Sequence, residues 1–164
     1  MQPSYFINQP NLFSKKFIIS GQQGFVAAIK FRGFADTKAT AEFNNREWIL
    51  KSNFLNDKVS IESTIPETIA YTFNGSVISS KGSIEIDGNE YTFKALFLTR
   101  KRSFVWLDNA ENELIKFTIS GPLKIKGQIE VSNNDLGSDK LNILFVLGFY
   151  LIKANYYSMG SRTH

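Results

Sequence analysis

The sequence predicts a mainly β domain, a closed antiparallel barrel of about 10–12 strands around a buried, hydrophobic C-terminal helix. Three observations carry that expectation. Short runs of alternating apolar and polar residues recur through the first four-fifths of the chain. Turn-forming residues separate them at the close spacing of a sandwich or barrel. One uncharged apolar stretch, Leu141–Ile152, then follows a polar loop.

In order, the alternating runs are Lys16–Ser20, Gln23–Phe31, Lys38–Phe43 and Arg46–Ser52, the last with Trp48 and Leu50 on one face. Lys58–Ser63 follows, with Val59, Ile61 and Ser63 on one side and Ser60 and Glu62 on the other. Thr68–Asn74 leads into Asn74-Gly75, and Gly82–Ile86 leads into Asp87-Gly88 and Glu90–Leu98. Both dipeptides are hairpin signals, because the two central residues of a type I′ turn need positive φ. Ser103–Leu107 and Glu113–Ser120 flank the polar turn Asp108–Asn112, and Lys124–Val131 closes the series. Gly21-Gln22-Gln23-Gly24 reads as a turn between strands; it is too short for a phosphate-binding loop.

Ser138 or Asp139 is placed to cap a helix after the loop 133–139. At 3.6 residues per turn, Leu141–Ile152 presents large apolar groups on every side, so it must be buried on every side. Twelve residues span roughly 18 Å, short of a hydrocarbon core of about 30 Å, and Lys140 and Lys153 bracket the run. Burial in protein is therefore expected, with roughly 15–30 kcal/mol of gross apolar stabilisation before ordering entropy. Gly148 would let a strand approach the helix closely.

At 164 residues and 43% hydrophobic, with no linker, the chain is expected to be one domain over 1–164. Barrel strands are placed at about 16–131 and the helix at about 138–155, with flexible ends at 1–10 and 158–164. Met1–Asn8 does not read as a signal peptide. With no cysteine and a single histidine at His164, thiol or Ser–His–Asp nucleophilic catalysis and a zinc site are excluded, and no cofactor is implied. A net charge of +4 is too mild for a nucleic-acid signature.

Serial hairpins followed by one wholly apolar helix is an uncommon order. The stretch Phe104-Val105-Trp106-Leu107-Asp108-Asn109, continuing into Glu113-Leu114-Ile115, together with the closing Leu141–Lys153 segment, resembles the tubby C-terminal-domain-like superfamily. That group includes LURP-one-related and phospholipid-scramblase-like proteins. The resemblance covers Lys16 to Lys153 and implies a barrel of about twelve strands threaded by its terminal helix. The acidic residue that precedes the helix in that group corresponds to Asp139. The chain lacks the cysteine-rich palmitoylation stretch and the Pro-rich leader of the scramblase relatives.

Two basic clusters are candidate binding sites for an anion or headgroup. Lys30-Phe31-Arg32 on a strand places both cations on one face with Phe31 inward. The resemblance implies phosphoinositide binding through that Lys-x-Arg pair. Arg100-Lys101-Arg102 sits at an expected hairpin tip, where it would grip a phosphate through charge-assisted hydrogen bonds. The competing reading is that both clusters are ordinary solvated charges, of the kind that also block edge pairing.

The expected function is a non-enzymatic barrel module that binds anionic phospholipid or an acidic protein partner. It would act in the cytoplasm, peripherally at the membrane, with no membrane-spanning segment. A hydrolase working through Glu85, Asp87 and Glu90, or through Asp108, Glu111 and Glu113, is the alternative from a different class. A tail-anchored protein using Leu141–Ile152 is a third reading.

Overall fold

A computed structural model describes residues 3–32, 38–53, 58–65, 67–76, 81–96, 102–120, 124–132 and 134–160. Its strands are β1 (Ser4–Asn8), β2 (Lys16–Gly21), β3 (Gly24–Arg32), β4 (Lys38–Phe43), β5 (Arg46–Asn53) and β6 (Lys58–Ser63). They continue as β7 (Ile69–Ser76), β8 (Lys81–Ile86), β9 (Asn89–Leu96), β10 (Arg102–Leu107), β11 (Glu113–Ser120) and β12 (Lys126–Val131). A 3-10 turn at Asn134–Leu136 precedes the helix α1 (Ser138–Gly160). Each strand pairs antiparallel with its neighbours in sequence, and β1 pairs with both β2 and β12, which closes the barrel. Closure leaves no unpaired edge among these strands.

The first strand corrects the sequence reading, which put residues 1–10 outside the barrel. Ile7 is buried and Tyr5 packs its ring on Phe145 of the helix at 4.8 Å. The Asn74-Gly75 turn is also corrected. Both residues lie inside β7, and Gly75 pairs with Gly82 across the sheet. The two backbones come so close that a Cβ on Gly75 would collide with the Lys81 carbonyl and Gly82 Cα. Glycine serves inter-strand contact here rather than a reversal. The Asp87-Gly88 turn is as expected, with φ of 52° and 82°, and Asn44-Asn45 forms another of the same kind, with φ of 52° and 58°.

The helix runs down the barrel interior. Every residue from Asn142 to Ile152 is buried, as an all-round apolar helix requires. Phe17, Phe31 and Phe149 pack at one end of it, and Phe73, Phe93, Trp106 and Phe117 around its middle. Leu141–Ile152 is thereby enclosed by strands instead of being free to enter lipid. No helix among the described residues is long and apolar enough to cross a membrane.

The barrel has two unlike ends. At the entry rim, where α1 begins, lie the turns 22–23, 44–45, 87–88 and 108–112, with residues 64–65 and 67–68. The opposite, exit rim carries the connection 9–15 and the exit-rim ends of β3, β5, β7, β9 and β11.

Candidate basic surface

Register decides which charges meet. Antiparallel partners point to the same face, so cross-strand pairs are side-chain neighbours. Lys16 pairs with Lys30, Arg32 with Lys38, and Lys38 with Lys51. All five are exposed on the outer wall, at the exit-rim ends of β2, β3, β4 and β5. None of the five has an acidic ion-pair partner among the described residues. Like charges placed directly opposite destabilise a sheet, so this patch stands against the stability of the fold.

The predicted pair Lys30 and Arg32 therefore sits inside a larger basic field. Phe31 between them is buried, stacked on Tyr150 at 6.0 Å. Sequence reasoning missed Lys16, Lys38 and Lys51, because only the pairing of four strands makes them neighbours. Of the second cluster, Arg100 and Lys101 lie outside the described residues. Arg102 is half-buried at the exit-rim end of β10, five strand positions round the ring from β3. The fold does not bring Arg102 onto the Lys30–Arg32 face.

The acidic residues segregate the other way. Every described Asp and Glu lies at or near the entry rim, from Glu42 and Glu47 beside the 44–45 turn to Asp135 and Asp139 at the start of the helix. Described cations cluster instead at the exit rim, where Lys58, Lys81, Arg102 and Lys126 join the five of the patch. Arg46 and Lys140 lie at the entry rim, and Lys116 stands on the wall opposite Glu130. Arg46 reaches the carbonyls of Ile65 and Glu67 at 3.4 and 3.3 Å, and Lys140 lies 3.8 Å from Asp87.

The carboxylates weighed for hydrolysis serve the turns. Asp108 accepts from the amides of Ala110 (2.9 Å) and Asn112 (2.8 Å) and from Asn112 Nδ2 (3.1 Å). Those donors hold its carboxyl below the usual range, which is opposite to what a proton donor needs. A cleft of about 290 Å³ does bring Glu90, Asp108 and Asp135 together at the entry rim. No group of three or more Asp, Glu, His or Cys among the described residues is arranged to hold a metal ion.

A groove of about 650 Å³ lies beside the start of α1, with Tyr5, Phe25, Phe43 and Leu141 as apolar walls. Asn44 and Asn142, two of its polar groups, are occupied with structure. Asn44 donates to Asp139 Oδ1 at 2.7 Å and accepts from Asn142 Nδ2 at 3.0 Å, tying the 44–45 turn to the helix.

No family model, curated protein or solved structure matches the chain.

Proposed function

We propose that this chain is a non-enzymatic binding module of the tubby-like kind, whose basic outer wall takes anionic lipid headgroups or an acidic protein partner, peripherally at a cytoplasmic membrane face. The carrying observation is the run of like-charged neighbours Lys16–Lys30 and Arg32–Lys38–Lys51. A field of cations held at close spacing, on rigid strands, attracts phosphate or carboxylate through charge-assisted hydrogen bonds. The filled interior supports the same reading. The helix occupies the space in which an open barrel would hold a ligand, so recognition falls to the outer wall and rims. Twelve strands around a terminal helix is also the architecture that the tubby-like resemblance implies.

Flotation with neutral and anionic vesicles, at low and moderate salt, tests this. Retention on anionic vesicles alone, weakened by salt and lost in Lys30→Glu/Arg32→Glu, is the expected result. Equal retention of that variant and the parent chain would overturn the assignment. Arg100→Ala/Lys101→Ala/Arg102→Ala examines the second cluster in the same assay.

A further inference from the structure

The connection 9–15 joins β1 to β2 at the exit rim and carries two large apolar side chains into water. Leu12 is 50% exposed and Phe13 is 93% exposed. On the described strands and helix every Phe except Phe6 and Phe25 is buried, and Phe13 is more exposed than either, so its display needs a reason.

The loop that carries it is held firmly. Gln9 is buried, and its Nε2 donates to the carbonyls of Leu12 (3.3 Å) and Ser14 (2.8 Å). Its Oε1 accepts from the Ile125 amide at 3.0 Å. The Phe13 amide donates to Asn11 Oδ1 at 3.1 Å, and the Phe31 amide donates to the Lys15 carbonyl at 3.0 Å. A buried amide side chain with both ends bonded thus fixes the loop in the form that points Leu12 and Phe13 outward. Binding through such a tip would cost little ordering entropy.

The tip lies next to the basic patch, since Lys16 begins β2 directly after it and pairs with Lys30. We propose that Leu12 and Phe13 form a wedge that enters the apolar layer of an anionic bilayer, while the exit-rim cations lie against its headgroups. The barrel would then stand on the membrane with α1 pointing towards it. This rests on reading the basic wall as an anion-binding surface.

A bilayer fits better than a pocket on another protein because the cations do not stop at the loop. Lys58, Lys81, Arg102 and Lys126 continue around the same rim, and a flat anionic surface faces all of them at once. Phe25 and Ile65 are exposed too, but at the entry rim near Glu42, Glu47 and Glu62, where an anionic surface is repelled. The charge distribution selects one end.

The absence of cysteine makes a direct test available. Phe13→Cys and Glu85→Cys each take a single polarity-sensitive fluorophore, one at the wedge and one near the entry rim. With vesicles containing phosphatidylserine, emission from position 13 should shift to the blue and position 85 should not change. Leu12→Ser/Phe13→Ser should weaken vesicle partitioning about tenfold or more, with little change in thermal midpoint because Phe13 is almost fully solvated and Leu12 half so. Protein bound to the vesicles with the label at 13 still in water would overturn the wedge, leave the basic wall standing and free the tip for a protein partner. Failure of the parent chain to bind anionic vesicles would overturn both.

Discussion

The indole Nε1 of Trp106 donates a 2.8 Å hydrogen bond to the backbone carbonyl of Leu144, in the buried part of the helix. It pins the wall of the barrel to its axle, and the room for it comes from Gly148, one turn further along. A Cβ on Gly148 would stand 2.8 Å from Trp106 Nε1 and 2.6 Å from Phe117 Cζ.

Side chains at position 148 should therefore be rejected in order of size. Gly148→Ala gains about 1 kcal/mol of helix propensity but loses about 1–3 kcal/mol to overpacking. Gly148→Leu adds more volume and should lower the denaturant midpoint further. An unchanged midpoint for Gly148→Leu would mean that the wall yields at this contact.

Leu147→Asp should abolish the fold. Leu147 is fully buried among strands, and an unpaired carboxylate there costs as much as the whole net stability of about 5–15 kcal/mol for an ordinary domain. Near-UV circular dichroism should collapse. A variant that keeps its tertiary signal would contradict a helix enclosed by strands.

Alkali should unfold the chain through its tyrosines. Burial raises the Tyr150 phenol above its usual value of 10.0 and outweighs the lowering effect of hydrogen bonding with Ser52, whose Oγ lies 2.8 Å from the phenol oxygen. Tyr71 is raised as well, by partial burial and then by Asp87 and Asp139. A raised folded-state pKa gives stability that is fully present below the unfolded value, about 10, and lost as pH climbs through the folded one. Stability should hold up to about pH 10 and then fall, and Tyr150→Phe should flatten that fall. An identical alkaline slope in the variant would assign the effect elsewhere.

Lys38→Glu should stabilise the protein while weakening its attraction to anions. The substitution sets a carboxylate between Arg32 and Lys51, turning two repulsive cross-strand pairs into attractive ones. Each such pair is worth about 0.2–1 kcal/mol. A higher thermal midpoint together with reduced retention on anionic vesicles is the expected signature. A lower midpoint would mean that the three cations do not repel one another in solution.

Where side-chain alternation was complete, the fold was legible. Lys38–Phe43, Lys58–Ser63 and Glu113–Ser120 run over the expected residues, and the apolar helix begins at Ser138, although Gly137, whose carbonyl accepts from the Leu141 amide, takes the cap position expected of Ser138 or Asp139. Strand β1 was not legible because Ser4–Asn8 is short and gains its place only by pairing with β12, far away in sequence. Asn74-Gly75 misled because a dipeptide favourable for a turn is equally favourable where two backbones must touch, as Gly75 and Gly82 do. Of the candidate site, Lys30 and Arg32 could be read from two-residue spacing on one strand. Lys16, Lys38 and Lys51 could not, since register is a property of the whole sheet. The Phe13 tip hides in a segment whose composition signals only a loop, and the buried Gln9 that organises it is a polar residue like any other in the sequence.

The threaded helix also governs how this chain comes off a ribosome. Phe17, Phe31, Phe93 and Trp106 are made long before Leu144, Phe145 and Phe149, which cover them. Strand β1, made before the other strands, waits for β12 before its second edge is paired. Until β12 has emerged the nascent sheet is a strip with open edges, and until residues 141–152 follow its apolar wall stays bare, the state in which chains stick to one another.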